Sequence, residues 1–281
     1  MNLVTFTTDF GLSDPYVGEV KGVVAAISPD TRIIDITHDI EGGNVFEASF
    51  VLTGSYRYFS EQAIHLVVVD PGVGTERAII IVQTVHYTFI GPDNGVLYSA
   101  VQDDGVEVVF TLDVDRLYGE LRSRFYGNGV ISRILESGTS STFHGRDLFA
   151  PLTAYLSTGF PAANVGTPGG EMTELPLPEP VVKEESIAGR VMYIDRFGNI
   201  ITNIQRRLVG MDDEVFIRRK NELVLVGKLV ETYADVPAGE YAALIGSRNR
   251  LEIAVHGGDA RKYFGAATGD EVVIVRGRGN R

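Results

Sequence analysis

The sequence contains no cysteine among its 281 residues. Disulfide bridges, thiolate nucleophiles and cysteine-based metal sites are therefore excluded. No run of 18 apolar residues occurs, and the first nine residues show neither a basic n-region nor an apolar h-region. We therefore expect a soluble cytoplasmic protein without a membrane partner.

Basic residues are also scarce, with 25 Lys and Arg against 37 Asp and Glu, and the formal net charge is −12. No basic stripe is present to neutralise phosphates, which argues against nucleic acid as a partner. The hydrophobic fraction of 44% is sufficient for a sizeable core. The length allows two domains of ordinary size.

Several motifs of metal, nucleotide and serine chemistry are missing. The five histidines are scattered without H-x3-H or H-E-x-x-H spacing, so we predict no metal site. Gly72 and Gly74 form only the G-x-G part of the dinucleotide-binding fingerprint G-x-G-x-x-G, and Arg77 stands near the place of its third glycine. No P-loop occurs. No G-x-S-x-G elbow is present either. We therefore expect neither a cofactor nor a nucleotide phosphate.

The most informative segment is I-H-L-V-V-V-D-P-G-V-G-T-E-R, residues 64–77. Its continuous, mostly β-branched run is typical of a strand buried on both faces of a parallel sheet. Asp70 ends the run, and a Pro-Gly turn separates it from Arg77. The carboxyl end of such a strand is where ligands bind in open α/β sheets. Alternatively, Asp70 is a capping residue and Arg77 a surface residue, and this segment alone favours neither interpretation.

The first 70 residues show a β-α-β-α-β order. The predicted elements are a strand over Leu3–Thr7, a helix capped by Asp14 with the apolar stripe Val17, Val20, Val24 and Ile27, a strand over Arg32–Thr37, a helix from Asn44 to about Tyr58, and the strand that ends at Asp70. This order predicts a parallel sheet with right-handed crossovers. Asp9 and Asp70 should then lie at the same carboxyl edge, whereas residues 103–138 show no clear pattern.

Past Gly189 the pattern changes to short strand-like runs separated by turns rich in Gly, Asn and Asp. Such spacing indicates a small antiparallel barrel or sandwich. The segment before it is rich in Pro, Glu and Lys and has little periodicity, which is typical of an extended linker. We predict an α/β domain over residues 1–175, a linker over 176–188 and an all-β domain over 189–281.

Three further segments contain candidate functional residues, each with a structural alternative. His144 in T-F-H-G-R-D is either a catalyst or a half-buried side chain with its hydrogen bonds satisfied. Asp195 and Asn199 in Y-I-D-R-F-G-N could simply form a hairpin turn, and Ser247-Arg248 in I-G-S-R-N-R could do the same. Taken alone, these residues suggest candidates but no reaction.

Five motifs in order resemble a known family: T-T-D-F-G-L-S-D-P-Y-V-G (7–18), V-V-V-D-P-G-V-G-T-E-R (67–77), G-P-D-N-G-V-L (91–97), T-F-H-G-R-D-L-F-A-P (142–151) and Y-I-D-R-F-G-N-I-I-T-N (193–203). The chain resembles the S-adenosyl-L-methionine hydroxide adenosyltransferases, the adenosine-forming hydrolases related to fluorinase and chlorinase. The resemblance implies a Rossmann-like N-terminal α/β domain with a parallel sheet and a β-barrel-like C-terminal domain. It also implies a homotrimer whose active sites lie between one subunit's N-terminal domain and a neighbour's C-terminal domain.

The resemblance further implies a reaction. By motif position, Asp70, Arg77 and His144 resemble a triad that handles nucleophilic water. S-adenosyl-L-methionine would be the substrate, cleaved to adenosine and L-methionine by attack at the ribose C5′ atom. The implied substrate contacts are Asp9 for the ribose hydroxyls, Asp14, Asp195, Ser247 and Arg248 for the methionine amino and carboxylate ends, Phe197 and Tyr233 for the walls of the adenine slot, and Asn199 for the polar edge of adenine.

Two other functions stay open. The first is a halide-using adenosyltransferase, in which the Asp and His positions of the triad carry other residues. This chain keeps all three, which favours water as the nucleophile. The second is a protein that binds S-adenosylmethionine or adenosine without catalysis.

Overall fold

The computed structural model describes residues 3–219 and 222–277. The chain divides into two compact units, Met1–Leu177 and Pro178–Arg281. No helix within those described ranges is long and apolar enough to cross a membrane.

The N-terminal unit contains a seven-stranded sheet in the order β2-β1-β3-β5-β4-β6-β7. Its strands are β1 (Leu3–Thr8), β2 (Arg32–Thr37), β3 (Ile64–Val68), β4 (Ile79–Thr84), β5 (Thr88–Pro92), β6 (Val106–Leu112) and β7 (Gly166–Pro168). Its α-helices are α1 (Tyr16–Ile27), α2 (Val45–Thr53), α3 (Tyr98–Asp104), α4 (Val114–Arg124), α5 (Gly129–Ser137) and α6 (Ala150–Ser157). Short 3-10 turns span Tyr56–Tyr58 and Ala162–Asn164, and a π-helical turn spans Gly145–Phe149.

Strand direction in this sheet is mixed. β1 pairs in parallel with both β2 and β3, and β3 pairs in parallel with β5. The expectation that Asp9 and Asp70 lie at one sheet edge is confirmed, because Thr8 is the register partner of Val68. β4, β6 and β7 run antiparallel to their neighbours. Only three residues join β4 to β5, and so short a connection permits only a hairpin.

Strand β3 lies in the core of this unit, and all five of its residues are buried. The predicted apolar stripe of α1 is confirmed, as its four residues are buried. The predicted N-cap Asp14 is wrong. Pro15 occupies that position with helical dihedral angles, and its carbonyl accepts the N–H of Glu19 at 2.9 Å.

The side chains of Asn44 and Asp113 cap the N-termini of α2 and α4. Asn44 caps α2 as predicted, since its side chain accepts the N–H of Glu47 at 3.0 Å. The helix ends at Thr53 rather than near Tyr58, and a separate 3-10 turn covers Tyr56–Tyr58. Within the segment that showed no pattern, Asp113 caps α4 by accepting the N–H of Arg116 at 3.0 Å.

The C-terminal unit is built from antiparallel strands in the order β12-β11-β15-β9-β10-β14-β13, with β8 paired to β9. They are β8 (Val181–Val182), β9 (Ser186–Ile194), β10 (Ile200–Gln205), β11 (Glu214–Arg219), β12 (Glu222–Lys228), β13 (Tyr241–Ile245), β14 (Arg250–Val255) and β15 (Glu271–Val275), and the short helix α7 is Ala260–Phe264. A bridge from Leu229 to Ala243 nearly closes the sheet. The predicted pairing of an α/β domain with an antiparallel barrel-like domain is confirmed. The segment 176–188 contains β8 and the start of β9.

Candidate active site

Asp70 and Arg77 form a bidentate ion pair at the end of β3. The Arg77 Nε donates to both Asp70 oxygens, at 2.8 and 2.9 Å, and its Nη2 also donates to Oδ2. Their side chains are only 6% and 11% exposed. The guanidinium lies 5.6 Å from the centroid of the Phe149 ring. Partial burial strengthens such a charge-assisted pair and fixes the orientation of both groups.

The turn between these two residues is held in shape by its own hydrogen bonds. The Val73 N–H donates to the Asp70 carbonyl at 3.1 Å, and the Thr75 hydroxyl donates to the Gly72 carbonyl at 2.7 Å. Gly74 has a φ of +79°, and a Cβ there would overlap the Ser141 carbonyl oxygen. A glycine is therefore needed for the turn to approach the segment that precedes His144.

His144 immediately precedes the π-helical turn, and its Nδ1 lies 2.8 Å from the Arg77 Nη2. Arginine can only donate, so Nδ1 is the acceptor and a neutral His144 bears its proton on Nε2. Burial, and then the nearby positive charge of Arg77, lowers the pKa of His144 below its ordinary value. The imidazole is thus neutral near pH 7 and presents an N–H at its other nitrogen.

Asn94, from the G-P-D-N-G motif, ties down the end of the central strand. Its Nδ2 donates to the Val69 carbonyl at 2.9 Å, and its Oδ1 accepts the Val96 N–H at 3.1 Å. Asp70 is the next residue after Val69. The side chain therefore anchors the backbone directly before the ion pair.

Asp9 lies at the same sheet edge. Its Oδ2 accepts the backbone N–H of Gly43 at 2.8 Å, and a Cβ on Gly43 would contact the Pro71 ring at 3.4 Å. The side chain of Asp9 is therefore close to the turn that follows Asp70. Asp14 lies in the segment before α1 and is exposed.

In the C-terminal unit, Asp195 organises the turn between β9 and β10. Its Oδ1 accepts the N–H groups of Phe197 and Asn199, each at 2.9 Å, and the Asn199 Nδ2 donates to Oδ2 at 3.0 Å. This is the hairpin-turn geometry that the sequence left open for D-x-x-G-N. Phe197 at the tip is 76% exposed, so its ring is free to meet another surface.

A second cluster in this unit centres on Glu252, a buried residue of β14. Tyr233 donates its hydroxyl to the Glu252 Oε1 at 2.5 Å. Burial raises the pKa of Glu252, and the hydrogen bond from Tyr233 opposes that shift. The charge of Asp195 raises the pKa further, and the charge of Arg248 lowers it. The Arg248 guanidinium lies 5.5 Å from the Tyr193 ring centroid, and the adjacent Ser247 is exposed.

The structure thus brings Asp70, Arg77 and His144 into direct contact, with Asp9 at the same edge of the N-terminal sheet. The predicted residues of the C-terminal unit surround Asp195 and Glu252. Sequence reasoning missed Glu252, although an acidic residue inside the apolar run L-E-I-A-V is a usable signal. Across residues 3–219 and 222–277, no group of three or more His, Asp or Glu side chains is arranged to hold a metal ion.

Both units match models of one protein family. Residues 4–166 match the SAM hydroxide adenosyltransferase N-terminal domain, and residues 189–273 match the C-terminal domain of the same family. The chain belongs to the SAM hydroxide adenosyltransferases. The order of the two matched domains agrees with the order of the motifs along the chain.

Relatives within this family are similar over nearly the whole length. The chain is 34% identical to an (R)-S-adenosyl-L-methionine hydrolase of Salinispora tropica over 277 residues, covering 98% of each chain. A protein of the same name from Thermus thermophilus is 35% identical, with 98% of this chain and 100% of the relative covered. A crystal structure of an uncharacterized conserved protein from Thermotoga maritima superposes with a TM-score of 0.85 at 36% identity, covering 97% of this chain and 100% of that one. A fluorinase of Nocardia brasiliensis is more distant, at 24% identity over 90% of this chain and 89% of the relative.

Proposed function

We propose that this protein hydrolyses S-adenosyl-L-methionine to adenosine and L-methionine. The observation that supports this most directly is the contact of one guanidinium with both Asp70 and His144. The hydrolases named above, at about a third identity over the full chain, support the same substrate. The substrate is consumed in the reaction, so the chemistry requires no separate cofactor.

The reaction is an in-line displacement at the ribose C5′ atom. An oxygen from water forms the new C5′–O bond, the C5′–S bond breaks, and the electron pair leaves with sulfur as the neutral thioether of methionine. A neutral leaving group needs no acid. Catalysis therefore depends on removing a proton from water and on holding that water close, aligned and shielded from solvent.

The hydrogen bonds suggest how the three side chains share this work. Asp70 receives N–H groups from Arg77 and has oxygen lone pairs left to accept a proton from water. Neutral His144 bears its proton on Nε2, which can donate to the water oxygen, and it can accept a proton at Nδ1 only by releasing Arg77. Arg77 stabilises the developing hydroxide electrostatically. Asp70 and His144 together are the proposed proton acceptors, with Asp70 the less hindered.

The remaining predicted residues are proposed to bind substrate. Asp9 would accept the ribose hydroxyls, and Asp14, Asp195, Ser247 and Arg248 would hold the methionine end. Phe197 and Tyr233 would flank adenine, and Asn199 would bind its polar edge. We further propose a homotrimer in which a neighbour's C-terminal domain completes each site, so specific activity should fall on dilution as trimers dissociate.

Incubation with S-adenosylmethionine, followed by chromatography, tests the function. Adenosine and methionine formed in halide-free buffer would support hydrolysis. A 5′-halo product that forms only with added halide would support the halogenating alternative instead. Tight binding without turnover would contradict both and indicate a non-catalytic binding protein.

Single substitutions test the proposed roles. We expect His144→Ala and Asp70→Ala each to lower kcat by about two to four orders of magnitude, the usual range for loss of a general base. Substrate binding should survive in both. A kcat within about threefold of the parent would remove that residue from its role.

A further inference from the structure

Asp147, three residues after His144, is a buried carboxylate, only 2% exposed. Its Oδ2 accepts the backbone N–H of Ser140 at 2.9 Å and an N–H from the Arg146 Nη2 at 3.2 Å. Its Oδ1 accepts the Arg146 Nε at 2.7 Å. Both oxygens of this buried acid are therefore occupied by donors from its own segment.

A buried charge needs compensation, and Arg146 provides it from the protein surface. The Arg146 side chain is 38% exposed, and its Nη1 also lies 3.2 Å from Glu19 on α1. Its guanidinium lies 5.4 Å from the Phe143 ring centroid. The pair joins a buried carboxylate to a partly exposed guanidinium, so it compensates the buried charge and fixes the position of Asp147 within its segment.

The bond from Ser140 to Asp147 closes an eight-residue segment on itself. Inside this closed segment are Ser141, whose carbonyl oxygen lies against Gly74, and His144, whose Nδ1 accepts from Arg77. The ends of the segment are thus joined to each other. Its middle lies against the turn between Asp70 and Arg77 at Gly74 and at Arg77. The π-helical turn over Gly145–Phe149 includes Asp147 itself.

We infer that Asp147 is a positioning residue that holds the imidazole of His144 against Arg77 by fixing the segment 140–147. This inference rests on the proposed function, because it assigns His144 to the reaction. Asp147 does not contact the reacting atoms. Misplacement of a catalytic group by about 1 Å can cost about 100-fold in rate, so loss of this anchor should appear in kcat.

Two substitutions separate positioning from simple stability. Asp147→Ala removes both the acceptor for Ser140 and the partner of Arg146, and we expect kcat to fall about 100-fold with KM within about threefold. Asp147→Asn keeps an amide oxygen for the Ser140 N–H, so we expect it to recover most of the loss, with kcat about three- to tenfold below the parent. Asp113→Asn is the matched control, because Asp113 also accepts a backbone N–H and pairs with an arginine, far along the chain on α4.

Both variants and the control are assayed over a range of S-adenosylmethionine concentrations, to give kcat and KM separately, after their folded fraction is measured by circular dichroism. A folded Asp147→Ala with kcat within about threefold of the parent would overturn the inference, as would a loss that only tracks the folded fraction. Should Asp147→Ala not fold, Asp147→Asn decides, and a kcat equal to the parent's would refute the role. The parent and His144→Ala are measured alongside. No adenosine formation by the parent would overturn the proposed function, and unchanged activity in His144→Ala would remove His144 from its role. A large loss in His144→Ala with active Asp147 variants would overturn only this inference.

Discussion

Replacing Arg77 with lysine keeps a positive charge beside Asp70 but removes the planar fork that joins the two other groups. The arginine donates to Asp70 through Nε and Nη2 and to His144 through Nη2. A lysine side chain ends at about the position of the guanidinium carbon, so its ammonium reaches one partner well and cannot serve both.

The number of lost hydrogen bonds sets the expected effect. A hydrogen bond to a charged group contributes about 2 kcal/mol, which corresponds to about 30-fold in rate if it acts in the transition state. Losing the contact with His144 alone therefore predicts a fall of about 30-fold in kcat for Arg77→Lys, and losing a second bond to Asp70 predicts about 1000-fold. KM should stay within about threefold, because Arg77 is not among the proposed substrate contacts.

The assay is the initial rate of adenosine formation over a range of S-adenosylmethionine concentrations, with a thermal melt to verify folding. Arg116→Lys is the control, because Arg116 also pairs with an aspartate, Asp113, but its side chain is 53% exposed. Exposed pairs contribute about 0–1 kcal/mol, so this variant should match the parent. A folded Arg77→Lys with kcat within about threefold of the parent would refute the reasoning.

Three further predictions concern pH and backbone geometry. Burial and Arg77 lower the pKa of His144, and only the neutral imidazole accepts from Arg77, so kcat/KM should be constant through neutral pH and fall on the acid side with a midpoint below 6.5. His65 is fully buried, and its Nδ1 is hydrogen-bonded to the Thr5 hydroxyl. Burial lowers the pKa of His65 from 6.5 to about 4. A histidine with a lowered folded-state pKa contributes fully above pH 6.5 and loses that contribution as pH falls toward 4, so denaturant titrations should show about 3 kcal/mol of acid destabilisation from this group. Gly74→Ala should lower kcat at least about tenfold, because the new methyl group would displace the segment around Ser141.

Each of these has a result that contradicts it. An acid limb of kcat/KM at or above pH 6.5 would show that His144 is not the buried, Arg77-paired group described above. For His65, the free energy of unfolding is compared with that of His65→Asn, and parallel pH curves for the two would refute the assignment. Gly127→Ala is the control for Gly74, since Gly127 has a similar φ of +83° but open space around it; equal losses of kcat would implicate backbone strain alone.

Part of this architecture could be predicted because its signals are local. The buried run before Asp70 indicated a central parallel strand, and the order of the first elements placed Asp9 at the same edge. The direction of β4 could not be predicted in the same way. It follows from the three-residue connection between Thr84 and Thr88, and the sequence V-H-Y there contains no glycine, proline or asparagine to announce a turn.

The candidate site was only partly visible for a related reason. Asp70 and Arg77 are seven residues apart, so their turn brings them together, whereas His144 is brought to Arg77 by packing between distant segments. Asp147 and Glu252 were not recognised, because the residue type alone does not distinguish a buried carboxylate from a solvent-exposed one. Their burial depends on partners, an adjacent arginine in one case and Tyr233 in the other, that become apparent only in three dimensions.

The central claim is that Asp70, Arg77 and His144 deliver a water oxygen to the ribose C5′ atom. A single-turnover reaction in water enriched in oxygen-18, analysed by mass spectrometry of both products, tests this most directly. The account predicts adenosine heavier by two mass units, unlabelled methionine, and loss of the labelled product in His144→Ala. Unlabelled adenosine, label in methionine, or full activity in His144→Ala would contradict it.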